Sequence, residues 1–249
     1  MSVLPLISAL YEMSISKFTM KTMMITKFIP APMKNHPFIP LLAAAAACLI
    51  AGCSDPADNV PKTSASEPKK TAAGQSQSGK EYVVRAESTI GFAASKVTRT
   101  HQGGFKNFAG KINVADGKIV GTPEIKIAMQ STWADDERLT GHLKSPDFFN
   151  VQQFPVATFT ATAIEQSGAP QKVTGNLDLH GVAKSVSFPA NIQVASDAVT
   201  VKAEFAINRR DFNINYPGMP NDLIRDNVVL KLDIKATPGP ARPEDQLTN

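Results

Sequence analysis

Large apolar side chains alternate with polar ones along much of the C-terminal half of the sequence. The clearest runs are residues 228–234, with apolar side chains at even positions, and residues 199–207, with apolar side chains at odd positions. Shorter runs with the same period lie at 125–129, 177–179 and 190–194. A period of two gives a strand one apolar and one wet face, which is typical of antiparallel sheets. About seven or eight such strands predict an all-β fold, either a sandwich or an up-and-down barrel.

One segment, residues 135–149, breaks this alternation. It begins with Asp135, Asp136 and Glu137 and then carries few β-branched side chains. Acidic side chains suit the first turn of a helix, where they interact favourably with the helix dipole. We therefore predict a short helix followed by a turn at Ser145-Pro146-Asp147.

An apolar run near the N-terminus has the plan of an export signal. Residues 38–52 follow Lys34 and are too few to span a membrane easily. The run ends in Ile50-Ala51-Gly52-Cys53, which is similar to the lipobox of bacterial lipoproteins. That resemblance implies cleavage between Gly52 and Cys53 and the attachment of acyl chains, such as palmitate, to Cys53. The alternative is an ordinary secretory signal that ends near a cysteine.

The residues before this run follow no signal-peptide plan. Met33 opens a complete signal over residues 33–52, so residues 1–32 are interpreted as an over-long start. Cleavage would remove Cys48 with the signal. We expect the processed protein on the periplasmic side of the cell envelope, anchored by its lipid. By analogy with enterobacterial sorting, Ser54 favours the cell outer membrane over the inner one.

Composition divides the remaining chain into three parts. Residues 53–80 comprise the acylated cysteine and a segment rich in Ser, Ala, Pro, Lys and Gln, which predicts a flexible linker. As a coil, its 27 residues would reach about 30 Å. Residues 81–236 carry the strand pattern and form one predicted domain. Residues 237–249 are polar, contain three prolines and predict a disordered tail.

Charge and candidate reactive groups narrow the function. After cleavage the chain keeps 22 basic and 21 acidic side chains, a net charge of +1. It has no basic patch for a phosphate backbone, so nucleic acid is not an expected partner. His101, His142 and His180 lack metal-ligand spacing, and residues 209–211 (RRD) suit either local pairing or a phosphate contact. We predict no catalytic residue, no metal site and no required cofactor, and hence no enzyme.

Longer blocks of sequence carry a family resemblance. The blocks are residues 88–92 (STIGF), 104–112, 138–151 (RLTGHLKSPDFFNV), 154–159 (FPVATF), 173–186 (VTGNLDLHGVAKSV) and 207–212 (INRRDF). In this order they closely resemble the YceI family of lipocalin-like, polyisoprenoid-binding periplasmic proteins, over about residues 81–236. The resemblance implies an extended antiparallel β-barrel of about eight strands, with a short helical segment and an elongated apolar cavity.

In that family the cavity holds an isoprenoid chain, such as a quinone tail or a polyprenyl chain. On this basis we predict cavity residues that are mostly aromatic or aliphatic and lie in the first half of the domain. They are Phe92, Phe105, Phe108, Ile112, Ile127, Met129, Leu139, His142, Leu143, Phe148, Phe149, Phe154 and Phe159. The alternative is that these phenylalanines simply fill the core.

Two functional hypotheses follow from the sequence, with a weaker third. The first is a transport or binding protein that binds, sequesters or carries an isoprenoid lipid in the cell envelope. The second is a non-enzymatic envelope interaction or stress protein with a packed barrel and no bound lipid. The third is a small-molecule hydrolase that uses His142. The sequence leaves the oligomeric state open, with a homodimer as one option.

Overall fold

Antiparallel strands make up most of the fold. The structure, a computed structural model, describes residues 55–70 and 79–247. The strands are β1 Lys80–Val84, β2 Thr89–Lys96, β3 Thr100–Phe105, β4 Phe108–Ala115, β5 Lys118–Ala128, β6 Thr132–Ala134, β7 Val156–Glu165, β8 Gln171–Leu179, β9 Val182–Val194, β10 Val199–Asn208, β11 Gly218–Met219 and β12 Asp222–Pro238. The α-helix is α1 Glu137–Lys144, and short 3₁₀ helices lie at Pro56–Asn59, Met129–Ser131, Arg209–Phe212 and Pro243–Asp245.

Eight of these strands close into a barrel. The hydrogen-bonded order is β1-β4-β5-β7-β8-β9-β10-β12, and the ring closes because the last part of β12 also pairs with β1. Every pair in the ring is antiparallel. The earlier part of β12 pairs with β2, which continues through β3 to β6. The predicted eight-stranded antiparallel barrel is therefore confirmed, and the sandwich alternative is not the fold.

The period-two pattern sets which side chains face the lumen. On β12, Val228, Leu230 and Leu232 line the interior, while Lys231 between them is exposed. On β10, Phe205 and Ile207 line the interior in the same way. Alternate side chains of a strand point to opposite faces, so the apolar positions of the sequence pattern become the inner wall.

The predicted helix and turn are present. Helix α1 begins after Asp136, whose carboxylate accepts a hydrogen bond from the Leu139 N–H at 3.0 Å. That contact satisfies a donor of the first helical turn and lowers the pKa of Asp136. After the helix, the Ser145 hydroxyl donates to the His142 carbonyl at 2.8 Å and a run of turns follows. The acidic start of this segment thus has a structural role.

The predicted flexible linker requires correction, because residues 55–70 pack on the barrel. We call this segment the strap. Ala57 is fully buried against Ala93, Ala206 and Val229 on the outer face. The Thr63 N–H donates to the Ala206 carbonyl at 2.8 Å. Composition alone could not predict this, because the strap is held by hydrogen bonds and ion pairs to distant strands and by one small buried side chain, and not by a run of apolar residues.

A gap in the sheet explains why the strap binds there. Strands β9 and β10 pair only between residues 191–194 and 199–202, and beyond them the two strands separate. The strap lies in this gap, with Ser66 and Ser185 exchanging backbone hydrogen bonds of 3.0 and 2.9 Å. Buried backbone N–H and C=O groups need partners. The strap supplies them to both separated strands.

The C-terminal segment also differs from the expectation of a disordered tail. Strand β12 continues to Pro238, and the 3₁₀ helix Pro243–Asp245 follows. Asp245 is 1% exposed and is held by hydrogen bonds from Arg85 and Arg242. Residues 1–54 lie outside the described part of the chain. The over-long start, the signal over 33–52 and the acylation of Cys53 therefore stay predictions.

Candidate ligand-binding cavity

An elongated cavity runs through the barrel. The space open to the centre of a water-sized sphere is about 220 Å³. A single water needs only about 10–15 Å³ on this measure, and packed protein interiors contain few voids larger than a water molecule. Wall residues on β12 extend from Ile224 to Ile234, roughly 33 Å along the strand at ~3.3 Å per residue. The cavity is therefore too large and too long to be a packing defect.

The wall is almost wholly hydrocarbon. Apart from Arg209, every lining side chain is aliphatic or aromatic, or is the thioether of Met129. The Arg209 guanidinium donates to the carbonyls of Ile214 and Arg225 at 2.6 and 3.1 Å and to the Asp226 carboxylate at 3.2 Å. Burial lowers the pKa of Arg209 and the Asp226 charge opposes that shift. Arg209 therefore stabilises the end of the barrel with four of its five N–H donors engaged.

Nine of the thirteen predicted cavity residues lie on this wall. They are Phe92, Phe105, Ile112, Ile127, Met129, Leu143, Phe148, Phe149 and Phe159. The structure brings together side chains from strands β2, β3, β4, β5 and β7, from the 3₁₀ helix at Met129 and from the segment around α1. Whether each of them contacts a ligand stays a prediction.

The other four predicted residues lie off the wall. Phe108 is buried in a core cluster with Val84, and Leu139, on α1, packs against the core without reaching the lumen. The His142 ring shares a hydrogen bond of 2.8 Å with the Asp147 carboxylate and lies edge-on to Phe148. Phe154 packs against the His180 ring, with centroids 4.8 Å apart. The local backbone at these positions turns the side chains away from the cavity.

The second half of the barrel contributes wall residues that were not predicted as a site. They include Leu177, Leu179, Val186, Phe188, Ile192, Val201, Phe205, Ile207, Leu230 and Leu232. The signal that finds many of them is the period-two alternation itself, because in a closed barrel the apolar face of each strand points inward. The predicted cavity residues instead all lie in the first half of the domain.

Aromatic rings form two chains along the wall. Phe105 lies between Phe92 and Phe149, with ring centroids 6.0 and 6.1 Å away. Phe188 lies between Phe159 and Phe205, at 5.7 and 4.0 Å. The Phe188–Phe205 pair is stacked and bridges β9 and β10 inside the gap that the strap covers. Aromatic pairs attract each other at such short centroid separations.

Two glycines make room for this aromatic wall. A Cβ at Gly103 would lie 2.4 Å from the Phe92 ring, and a Cβ at Gly175 would lie 2.3 Å from the Phe159 ring. Real side chains do not approach so closely. The absence of a side chain at these positions lets each ring lie over the neighbouring strand.

The three histidines of the barrel domain each contact a different partner. His101 contacts the Asp135 carboxylate at 2.8 Å, and His180 contacts the Phe212 carbonyl at 3.1 Å. Burial raises the pKa of Asp135, but hydrogen bonds from the Gln102 N–H and His101 outweigh it and the net shift is downward. Among residues 55–70 and 79–247, no group of three or more His, Cys, Asp or Glu side chains could hold a metal ion.

Comparison with known proteins identifies the family. The model of the YceI-like domain matches residues 82–236, more than half of the chain. The chain belongs to the YceI family. Protein YceI of Salmonella arizonae is 33% identical over 120 residues, which are 45% of this chain and 62% of that relative. The match thus spans less than two thirds of the relative's length.

Solved YceI-like structures share the fold. BcnA of Burkholderia cenocepacia superposes with a TM-score of 0.55 and 24% identity, covering 61% of this chain and 98% of its own. A polyisoprenoid binding domain from Saccharophagus degradans, implicated in plant cell wall breakdown, gives 0.53 and 18%, covering 65% and 100%. In the part of the chain that the structure describes, no helix has the length and hydrophobicity needed to cross a membrane.

Proposed function

We propose that this YceI-family protein binds an isoprenoid lipid, such as a quinone or polyprenyl chain, in its barrel cavity and sequesters or carries it in the cell envelope. The observation that carries the proposal is the long hydrocarbon wall, whose single charged residue, Arg209, has four of its five N–H donors engaged by protein groups. Such a wall accepts an apolar chain and offers a charged head group little inside the lumen. The head group therefore stays at the end of the barrel.

The energetics favour a chain recognised by its shape. Each buried methylene contributes roughly 0.8 kcal/mol, while ordering a flexible chain opposes part of that gain. The wall offers no set of hydrogen bonds that would distinguish chains with different numbers of isoprene units. We expect tight retention of long apolar chains with weak selectivity for length.

Three further observations support the details of the proposal. The similar domain from Saccharophagus degradans is described as polyisoprenoid binding, which favours an isoprenoid over other apolar chains. The lipobox-like residues 50–53, at the end of the predicted signal, favour a lipid-anchored protein of the envelope. His101, His142 and His180 all lie off the cavity wall, which favours binding of an apolar chain there without catalysis. The packed-barrel alternative is disfavoured by the open lumen.

The test is the recovery of lipid from purified protein. Protein purified from its native host is extracted with organic solvent, and the extract is analysed by mass spectrometry. We expect an isoprenoid in a fixed proportion to protein. Recovery of no lipid, together with no uptake of added ubiquinone or polyprenol, would contradict the proposal.

A matched pair of variants ties the lipid to the cavity. Leu230→Trp adds an indole inside the lumen, whereas Lys231→Trp adds the same group to the outer face of the same strand. We expect lipid recovery to fall for Leu230→Trp and to stay at the wild-type level for Lys231→Trp. Equal recovery from both variants would place the lipid outside the cavity.

A further inference from the structure

Three exposed apolar side chains cluster at one end of the barrel. Val97, Met219 and Leu223 are 53%, 62% and 50% exposed, and we call them the apolar tip. They belong to two neighbouring turns, because the Val97 N–H donates to the Leu223 carbonyl at 3.1 Å and Met219 pairs with Asp222. Single exposed apolar residues are ordinary, but a cluster marks a contact surface.

The apolar tip borders the cavity. Leu223 is exposed, while its neighbour Ile224 lines the cavity wall and accepts a hydrogen bond from Arg209 through its carbonyl at 3.3 Å. This is the end at which β2, β8 and β10 finish and β12 begins. The opposite end carries the turn that joins β7 to β8. The apolar tip and one end of the lumen are therefore contiguous.

The N-terminal side of the strap reaches the same end. The Asp55 carboxylate is 8% exposed and lies 3.6 Å from the Arg225 Nε, two residues from Leu223. Its place is fixed, since Ala57 is fully buried on the barrel. Two residues of chain span at most about 7 Å, so an acyl group attached two residues before Asp55 would be tethered close to this end of the barrel. An acyl anchor on Cys53 would enter the membrane beside the apolar tip.

The charges around the tip suit a lipid surface. Lys96, Arg99 and Arg225 lie within two residues of its apolar side chains. The nearby Asp222 carboxylate accepts hydrogen bonds from Lys96 and from the Thr98 hydroxyl at 2.9 Å. Because Lys96 and Arg225 each pair with a carboxylate, of Asp222 and Asp55, little net charge surrounds the apolar side chains, which suits their insertion into the boundary between head groups and acyl chains.

We propose that this end of the barrel docks on a lipid bilayer, with Val97, Met219 and Leu223 inserted at the head-group boundary. The inference rests on the proposed function, because the anchor brings the tip to the membrane and the cavity receives the lipid. The barrel is then held against the bilayer and does not move freely on a long tether. Lipid passes between bilayer and lumen at the end where the two meet.

Depth-dependent fluorescence quenching tests the docking directly. Lipoprotein purified from membranes is returned to phosphatidylcholine vesicles that contain nitroxide-labelled lipid. Met219→Cys provides a label site at the tip, and Ser167→Cys provides one in the exposed turn between β7 and β8. The native cysteines are Cys48, in the predicted signal, and Cys53. Both substitutions lie at exposed positions, and their melting is compared with wild type.

We expect the nitroxide to quench the label at 219 several-fold more strongly than the label at 167. Equal quenching at the two positions, or none at 219, would overturn the docking proposal. Solvent extraction of the same samples reports the isoprenoid separately. Quenching at 219 without recovered lipid contradicts the proposed function alone, and recovered lipid without quenching contradicts the docking alone.

Discussion

Arg85 and Asp245 form an ion pair with Nη1 and Oδ2 2.7 Å apart, although 160 residues separate them along the chain. Their side chains are 8% and 0% exposed. Arg85 lies in the loop between β1 and β2, and its guanidinium also donates to the carbonyls of Thr237 and Pro238. The Asp245 carboxylate accepts the Ala86 N–H as well. The pair fastens the C-terminal segment to the barrel.

Removing the charge of Asp245 is expected to destabilise the fold. Asp245→Asn leaves the Arg85 guanidinium buried without its counter-charge, which typically costs about 3–5 kcal/mol. The control is Glu244→Gln, whose side chain is 53% exposed beside Arg242 and whose ion pair should contribute at most about 1 kcal/mol. Urea unfolding of lipid-free protein measures both. Equal urea midpoints for the two variants would show that the buried ion pair contributes no more to stability than the exposed one.

The same carboxylate predicts acid sensitivity. Hydrogen bonds from Arg242 and Arg85 outweigh burial and hold the pKa of Asp245 well below its usual range. The unfolded chain therefore takes up the proton first. This contribution to stability is complete above the ordinary Asp pKa of about 4 and is lost as the pH falls below it. The measurement is the unfolding free energy of wild type and Asp245→Asn as the pH is lowered, and the gap between them should narrow.

Substitution of two phenylalanines distinguishes a position on the cavity wall from a position in the packed core. Phe149 lines the cavity and is only partly buried, whereas Phe212 is fully buried off the wall. Phe212→Ala should cost about 3–5 kcal/mol, as is usual for a packed aromatic. Phe149→Ala should cost less in lipid-free protein, because space already lies beside its ring, and should weaken lipid retention. Thermal melting and lipid recovered per mole test both. A large loss of stability for Phe149→Ala with no lipid in either sample would favour the packed barrel.

Cysteine substitutions test the anchor. Cys53→Ala should release the protein from the membrane fraction or block its maturation, because the predicted diacylglyceryl group would attach to that sulfur. Cys48→Ala, within the predicted signal, should leave fractionation unchanged. Cell fractionation and mass spectrometry of the mature N-terminus provide the measurement. Wild-type protein that is wholly soluble and without acyl chains would contradict the lipoprotein prediction.

The strands and their inner faces could be predicted because the relevant information is local. Residues 199–207 and 228–234 alternate cleanly, and each alternation follows from a sheet with one wet face. Helix α1 was predictable for a similar reason, since Asp136 caps it from the adjacent position. Closure of the barrel needs the distant pairing of β1 with β12. No local pattern indicates that closure, and only the family resemblance predicted it.

Other features depend on contacts that sequence patterns do not contain. Phe154 and His142 lie close in sequence to wall residues, but the local backbone directs them to His180 and Asp147. Leu230 lies far along the chain from them and reaches the lumen. The strap has the composition of a coil. It can still pack on the barrel because it bonds to backbone groups of Ser185 and Ala206, which need no particular side chain in the strap. Register and backbone pairing between distant segments decide all of these positions.

The strap also covers backbone groups of β9 and β10 that would otherwise form open strand edges. Strands β9 and β10 separate beyond residues 191 and 202, and residues 61–66 occupy the backbone edges that this separation leaves. Exposed strand edges are templates on which further chains add and aggregate. A protein truncated to begin at residue 79 would present both edges to its neighbours. The segment that leads to the predicted membrane anchor is therefore also expected to limit edge-to-edge association of the folded chain.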